Sequence, residues 1–307
     1  MTMAVAMLVF AGCSNDENEM DNWNGEIRLS SGLDVQKVTR AATDIQGEKF
    51  VSGEAIDVFI SENTTAGQET ATVTTYTQPL VYETGENGAL NPPAGSQPYF
   101  PASGNGVNIF AYYPKGKVTS VDAGTTIEFT VETDQSGDDN YKQSDLMYGK
   151  PTKNPVGRTS SPTALTFTHL LSKVTVTLTS GDGSPSLDGA VVKFKNVKPA
   201  TTLITATGTI SAASGTATDI IVLNAASSNL SGSAIVVPQT LPDTFIEVTL
   251  ANGGVLTSDL TGVTDVKFEG SNEYKYDIKV NLISLDITTS ITPWRAGAGG
   301  SGTVVMP

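Results

Sequence analysis

With 307 residues, the chain is long enough to bury a sizeable core and corresponds in length to two domains of ordinary size. Only 16% of its residues are charged and its formal net charge is -14. This acidic balance argues against nucleic acid and anionic membrane surfaces as partners, because both require clustered Lys or Arg. Thr, Ser, Gly and Val are abundant while long runs of helix-forming residues are missing, which favours an all-β fold.

The N-terminal segment 2–11 is uncharged, apolar and too short to span a bilayer, and Gly12 and Cys13 follow it. Such a segment is typical of a signal peptide core, so we expect residues 1–12 to be a signal peptide. The run from Phe10 to Cys13 resembles the lipobox of bacterial lipoproteins, with Phe10 standing where Leu is usual. This resemblance implies that Cys13 is lipidated.

The surroundings of the single cysteine support that interpretation. No intrachain disulfide can form. The polar, acidic run at 14–19 argues against burial of Cys13 and resembles the surface-export signal of lipoproteins from the Bacteroides group. No Lys or Arg precedes Arg28, which predicts that the natural chain starts upstream of Met1.

The segment 25–40 alternates between apolar and polar residues and then ends in a basic run. The alternation predicts a half-buried strand, and 37–40 is suited to trypsin-like cleavage between Arg40 and Ala41. A strand that folds in and is later cut free would leave a groove. We therefore predict a propeptide, residues 13–40, whose removable strand presents Ile27, Leu29, Leu33 and Val35.

Further strands are predicted along the chain, separated by turn residues. A central strand is expected at 107–113, because it is apolar on both faces. The predicted strands of the first half are 55–60, 72–76, 107–113 and 125–131, and those of the second half are 165–178, 191–197, 203–210, 220–223, 234–237, 245–250 and 274–282. The Pro-, Gly- and Ser-rich stretch 151–162 predicts a boundary between a β-sandwich at 41–160 and another at 161–290.

The chain ends in a regular strand pattern followed by a glycine tract. The apolar positions slip by one residue after Leu282, which predicts a bulge or a change of sheet. Beyond Trp294, the tract 297–302 is flexible in composition. We expect residues 291–307 to form a C-terminal arm.

Catalytic and metal sites find little support in the sequence. His169 shares its strand face with Phe167 and Leu171, so we expect a core histidine rather than a catalytic one. The acidic loop 134–140 lacks the spaced ligands of an EF-hand, so a solvated turn is expected there. We predict no catalytic residue, no metal and no cofactor, and hence no enzyme.

Taken together, the motifs resemble the fimbrillin family of the Bacteroidales, which contains the subunits of type V pili. The resemblance spans nearly the whole chain and rests on the shared order of short motifs. They are the lipobox, Thr39-Arg40-Ala41, Ala111-Tyr112-Tyr113-Pro114, Asp145-Leu146-Met147-Tyr148-Gly149, Phe167-Thr168-His169, Val237-Pro238-Gln239 and Ile291-Thr292-Pro293-Trp294.

The resemblance implies two transthyretin-like β-sandwich domains in tandem and export as a lipoprotein of the outer membrane. It further implies cleavage by an Arg-specific protease and head-to-tail polymerisation by strand exchange into an extracellular fimbrium. Other pilus subunits, including tip and anchor subunits, would be the partners. From its apolar row at odd positions, the segment 284–307 is predicted as the donor, carrying Leu285, Ile287, Ile291, Trp294 and Val304. The alternative for Leu285 and Ile287 is that they complete their own domain.

Alternatives to a stalk subunit remain open at this point. A tip adhesin or an anchor subunit would have the same fold, although an arm after Trp294 favours a stalk subunit. A monomeric glycan-binding surface lipoprotein would instead use aromatic platforms for sugar stacking. Its candidate platforms are Trp23, Trp294, Tyr99 and Phe100.

Overall fold

A computed structural model describes residues 23–33, 50–64, 79–122, 124–226, 228–258, 267–294 and 302–305. The regular secondary structure of the described chain is almost entirely β-strand, which confirms the predicted all-β class. In chain order the strands are β1 (Leu29–Leu33), β2 (Ala55–Glu62), β3 (Leu80–Thr84), β4 (Ala89–Asn91), β5 (Val107–Tyr113), β6 (Thr126–Thr130), β7 (Met147–Pro151), β8 (Thr163–His169), β9 (Ser172–Ser180), β10 (Val191–Val197), β11 (Ala200–Ile204), β12 (Thr209–Ile210), β13 (Thr218–Asn224), β14 (Ser231–Val236), β15 (Ile246–Thr249), β16 (Val255–Thr257), β17 (Asn272–Val280), β18 (Leu285–Pro293) and β19 (Gly302–Val305).

Helical structure in the described ranges is short. The helix α1 (Asp138–Ser144) lies between β6 and β7, and a 3-10 turn (Glu86–Gly88) precedes β4. The expected solvated turn at 134–140 was therefore wrong for its second half, because Asp138 and Asp139 occupy the first turn of α1. Carboxylates are favourable there since they face the positive end of the helix dipole. No helix of the described chain is both long and apolar enough to cross a bilayer.

The first part of the fold is a closed barrel with the strand order β1-β4-β3-β2-β5-β7-β8. Its interior is lined by alternate residues of the strands, as the period of two in a strand requires. The strand β5 is buried along its whole length between β2 and β7, which confirms the predicted central strand. The barrel core includes Ile56, Val58, Tyr82, Ile109, Met147, Leu165 and Phe167.

The remaining strands form three sheets with the orders β13-β10-β15-β16, β12-β11-β6 and β14-β9-β17-β18-β19. They enclose a second core to which the outward faces of barrel strands also contribute. Phe59, Phe110 and Tyr112 point out of the barrel and belong to this second core. The core is continued by Val174, Val192, Phe194, Phe245, Phe268 and Tyr276.

The single long strand expected at 165–178 was wrong. The chain forms β8 in the barrel and β9 in the five-stranded sheet, with Leu170 and Leu171 between them. Buried positions change parity here, from the odd residues of β8 to the even residues Val174, Val176 and Leu178 of β9. A change of parity moves the apolar side chains to the opposite face, so the two halves pack in different cores.

Two more local expectations were corrected. The predicted strand 203–210 is a hairpin of β11 and β12. The slip after Leu282 is a hairpin turn between β17 and β18, closed by the amide of Asn281 donating to the carbonyl of Ser284 at 2.9 Å. The predicted strand 72–76 lies outside the described residues.

The boundary predicted at 151–162 precedes β8, which nevertheless pairs with β7 and β1 in the barrel. The chain passes into the five-stranded sheet only at Leu170 and Leu171. That the two cores correspond to two transthyretin-like domains stays a prediction.

Candidate functional site: the seam filled by the N-terminal strand

The strand β1 fills a seam, defined here as the space between β4 and β8. It runs parallel to β8 over five residue pairs, from Leu29 opposite Thr163 to Leu33 opposite Phe167. On its other side it pairs antiparallel with β4 at two positions. The barrel is therefore closed by a strand that comes from the N-terminal segment, far from β8 in sequence.

Side chains of the N-terminal segment alternate between the barrel interior and the surface. Ile27 is 1% exposed and Leu29 is 4% exposed, and both belong to the barrel core. Arg28 between them is exposed. The predicted alternation is thus confirmed at Ile27 and Leu29, whose burial removes two aliphatic side chains from water.

Backbone hydrogen bonds hold the segment on both sides. The amide of Ile27 donates to the carbonyl of Pro98 at 2.8 Å, and the amide of Phe100 donates to the carbonyl of Gly25 at 2.8 Å. On the β8 side, the amide of Thr163 donates to the carbonyl of Arg28 at 2.8 Å. Without this segment, these acceptors and donors would lack their partners.

Trp23 fastens the start of the segment to the barrel. Its indole Nε1 donates to the carbonyl of Glu26 at 2.9 Å, and its ring meets Phe100 edge-on at 6.2 Å. The guanidinium of Arg158 lies over the indole at 4.7 Å, a cation–π geometry. Sequence analysis missed this pair, because nothing local marks Arg158 as a neighbour of Trp23.

Near the C-terminal end of the chain, Trp294 follows β18 and is buried. Its ring stacks on His169 with centroids 3.5 Å apart and an interplanar angle of 10°. The Nδ1 of His169 lies 2.8 Å from Oδ1 of Asp145, and both side chains are fully shielded from solvent. The expected core position of His169 is confirmed.

A family-model comparison matches residues 39–294 to a model described as fimbrillin-like. The chain belongs to the fimbrillin-like family.

Relatives of this fimbrillin-like chain agree with that assignment. A curated protein of Bacteroides uniformis, described as a fimbrium subunit and named Fim1C, is 26% identical over 310 residues, covering 97% of this chain and 95% of the relative. Two solved structures described as cell adhesion proteins share the fold. One, from Bacteroides uniformis, has a TM-score of 0.63 at 21% identity and covers 88% of this chain and 98% of its own. The other, from Bacteroides ovatus, has a TM-score of 0.66 at 20% identity and covers 89% and 99%.

Several residues predicted to take part in export and processing of the fimbrillin-like chain lie outside the described residues. They are Cys13, Val35, Arg40 and Ala41. The backbone of Leu33 lies at the end of β1, opposite Phe167.

The residues predicted for the donor arm lie on the last two strands of the fimbrillin-like fold and just after β18. Leu285, Ile287 and Ile291 are on β18, which pairs with β17 along its whole length, and Ile287 is buried. Trp294 stacks on His169, as described above. Val304 is on β19, opposite Thr289 of β18.

Aromatic platforms for sugar stacking are scarce in the described chain. Phe100 and Trp294 are buried, and Trp23 is half-buried beneath Arg158. Tyr99 is 54% exposed and thus offers a face to solvent.

A cavity of about 310 Å³ opens between β2, the end of β5 and α1 of the fimbrillin-like chain. Within its lining, Lys142 Nζ lies 2.7 Å from Glu54 Oε1, and the Tyr113 hydroxyl donates to Glu54 Oε2 at 3.2 Å. The hydrogen bond to Glu54 raises the pKa of Lys142, and burial raises the pKa of Tyr113. Across the described ranges, no group of three or more His, Cys, Asp or Glu could hold a metal ion.

Proposed function

We propose that this chain is a structural subunit of a bacterial surface pilus, made as a lipoprotein and polymerised by strand exchange after cleavage at Arg40. Membership of the fimbrillin-like family supports the role of pilus subunit. The observation that carries the proposal is the seam: a barrel strand comes from the segment that precedes Arg40. The finished fimbrium would support adhesion or biofilm formation.

Removal of β1 would convert a closed barrel into an open one. The edges of β4 and β8 would then present unpaired backbone groups beside an apolar trough, and an extended segment can add to such an edge. Replacing Ile27 and Leu29 with two aliphatic side chains of a neighbour would contribute about 3 to 6 kcal/mol before association costs.

The matched family region begins at Thr39 and ends at Trp294. It therefore leaves out both β1 and β19, the two terminal strands that the exchange mechanism would handle.

The donor in this mechanism is the C-terminal arm predicted at 284–307. A strand donated from one subunit to a different surface of the next is a heterologous contact that does not close, so an open filament results. The partners are then other copies of the chain, together with tip and anchor subunits, and an Arg-specific protease.

The processing step has a direct test. N-terminal sequencing of subunits from assembled fibres should begin at Ala41, and Arg40→Ala should leave monomers. Lys37→Ala is the matched control, because it removes a nearby basic side chain and should leave processing intact. Fibres whose subunits retain residues 27–35 would contradict the mechanism.

Lipidation of the precursor is tested separately. Cells fed a fatty-acid analogue should label the precursor, because a lipobox cysteine receives the acyl chains. Cys13→Ala should lose the label, and undiminished labelling of that variant would refute lipidation at Cys13. The lipid anchor would hold the precursor in the outer membrane until cleavage releases it.

The donor arm is tested by truncation. Deletion of residues 296–307 should leave the melting temperature unchanged yet abolish polymerisation after cleavage. Normal fibres from the truncated chain would rule out the C-terminal arm as donor.

A further inference from the structure

We propose that the peptide bond between Arg158 and Thr159 is a second cleavage site for an Arg-specific protease, and that Trp23 shields it while the N-terminal segment occupies the seam. The inference rests on the processing at Arg40 proposed above and adds an order to it, because the cut after Arg40 must come first. Hydrolysis of the second bond consumes one water molecule and leaves a carboxylate on Arg158 and a free amine on Thr159.

The loop 157–162 has the composition of a protease-sensitive segment. The chain offers an Arg-specific protease four arginines, which are Arg28, Arg40, Arg158 and Arg295. Arg158 lies in the loop, whose sequence Gly-Arg-Thr-Ser-Ser-Pro consists mostly of small and turn-forming residues, and both ends of the loop are exposed. Exposed loops of small and polar residues are preferred places of proteolytic cleavage.

The chain just before this loop is held by the barrel itself. Val156 and Val107 exchange two backbone hydrogen bonds of 2.8 and 2.9 Å. The side chain of Asn154 accepts from the amide of Ile109 at 3.0 Å and donates to the carbonyl of Ile109 at 3.1 Å. None of these contacts involves the N-terminal segment, so its removal leaves them in place.

The chain just after the loop depends on the N-terminal segment. The first two residues of β8 pair with β1, and the amide of Thr163 donates to the carbonyl of Arg28 at 2.8 Å. The ladder between β7 and β8 begins only at Leu165, opposite Pro151. Without β1, the stretch 157–164 would therefore have no strand partner among the residues that the structure describes.

Trp23 and Gly25 fix the side chain of Arg158. The guanidinium carbon lies 4.7 Å from the centre of the indole ring, in a cation–π geometry. A Cβ at Gly25 would be 2.7 Å from Nη2 of Arg158, so the missing side chain leaves room for the guanidinium. Arg158 is exposed, so the shielding does not come from burial. It comes from holding the side chain that an Arg-specific protease must take into its own pocket.

These contacts give the two cleavage sites an order. Departure of the N-terminal segment after the cut at Arg40 would free both the side chain of Arg158 and the chain that follows it. A local opening of the loop, which cleavage requires, would then no longer break contacts with that segment. Because β7 and β8 stay paired at five positions on the far side of the loop, the two fragments would remain together as a nicked subunit.

The shield is tested in the full-length chain carrying Arg28→Lys and Arg40→Lys. Both substitutions keep the charge and remove the arginine, so the N-terminal segment stays attached. A purified Arg-specific protease is added, and cleavage at Arg158 is followed by the appearance of a fragment that begins at Thr159. Trp23→Ala should raise the cleavage rate about 2- to 5-fold, the factor that corresponds to an exposed cation–π contact when local opening precedes cleavage.

Three further variants in the same background are controls. Trp23→Phe keeps an aromatic face beneath the guanidinium and should retain the slow rate. Tyr99→Ala removes a ring that is 54% exposed, from a residue whose backbone bridges to Glu26, and should leave the rate unchanged. Arg158→Lys combined with Trp23→Ala should abolish the Thr159 fragment, which identifies the site. Circular dichroism should show the same β-sheet content for every variant.

The unchanged chain gives a second, independent measurement. During digestion, subunits that begin at Ala41 should appear before the fragment that begins at Thr159, because the shield opens only after the cut at Arg40. A Thr159 fragment that appears first, or that never appears once Arg40 is fully cut, would overturn the proposal.

The failure of this proposal and that of the processing step are distinguishable. Equal cleavage rates for Trp23→Ala and its parent would overturn the shield, whatever happens at Arg40. Absence of a cut after Arg40 in the unchanged chain would instead refute the processing step proposed above, and the rates of the Lys-substituted variants would still decide the shield.

Discussion

Ser31 of β1 and Gly88, in the turn before β4, lie in direct contact at one side of the seam. The hydroxyl of Ser31 donates to the carbonyl of Gly88 at 3.1 Å, and a Cβ added to Gly88 would be 2.5 Å from the carbonyl oxygen of Ser31. Gly88 also has a φ of +78°, where side chains are strained. Only glycine therefore allows β1 to lie this close to the turn before β4.

Gly88→Ala should consequently weaken the packing of β1 in the seam. Gly95→Ala is the matched control, because Gly95 has a φ of +76° but no neighbouring atom within 4 Å of the point that a Cβ would occupy. Each substitution should destabilise the protein by about 1–3 kcal/mol, because alanine is strained at a positive φ. Gly88→Ala should destabilise it further, because the new Cβ collides with Ser31. Thermal melting should show the larger loss for Gly88→Ala in the precursor and equal losses after β1 is removed. Equal losses in the precursor would refute the contact.

Ile27→Ala should lower the free energy of unfolding of the precursor by about 2–5 kcal/mol, because it leaves a cavity in the barrel core. Arg28→Ala is the control at the neighbouring position. Arg28 pairs with Glu26 at 3.2 Å on the surface, so its loss should cost less than about 1 kcal/mol. Urea unfolding distinguishes the two, and similar losses would contradict the inward orientation of Ile27.

Trp294→Ala should lower the free energy of unfolding by about 3–5 kcal/mol, as expected for a buried tryptophan. Ile283→Ala, in the turn between β17 and β18, is the control, because Ile283 is 90% exposed. Its effect should stay within about 0.5 kcal/mol. Urea unfolding of cleaved subunits measures the free-energy change for both variants. A negligible effect of Trp294→Ala would show that the stack on His169 does not stabilise the subunit.

The buried carboxyl of Asp57 should make the stability of the protein depend on pH. Burial raises the pKa of its carboxyl above the ordinary 3.8, against the opposing effects of the Gly116 amide and of Lys115. The pKa of Asp57 is higher in the folded state than in the unfolded state. The stability that this carboxyl contributes is therefore fully present below pH 3.8 and is lost as the pH rises through the raised pKa.

Asp57→Asn should therefore melt higher than the unchanged protein at pH 7, and the gap should close towards about pH 3.5. The amide oxygen can still accept the Gly116 N–H, which lies 2.6 Å from Oδ2. Glu128→Gln, at an exposed carboxylate, is the control for the change of charge. A gap for Asp57→Asn that is constant over this pH range would be evidence against the assigned cause.

Local patterns predicted several strands of this protein. The alternation around Ile27 and Leu29 predicted the buried face of β1, and the unbroken apolar run at 107–113 predicted the central place of β5. The strand predicted at 191–197 coincides with β10. These predictions succeeded because a strand exposes alternate side chains to opposite faces, and this period depends on the neighbouring residues alone.

Only the tertiary structure decided which strands pair and which side chains meet. The parallel pairing of β1 with β8, the division of 165–178 into two strands and the stack of Trp294 on His169 join segments that are distant in the chain. Strand alternation specifies a face but no partner. The partner is selected by the packing of both cores together, where a shift of one residue would turn every buried side chain of a strand towards solvent.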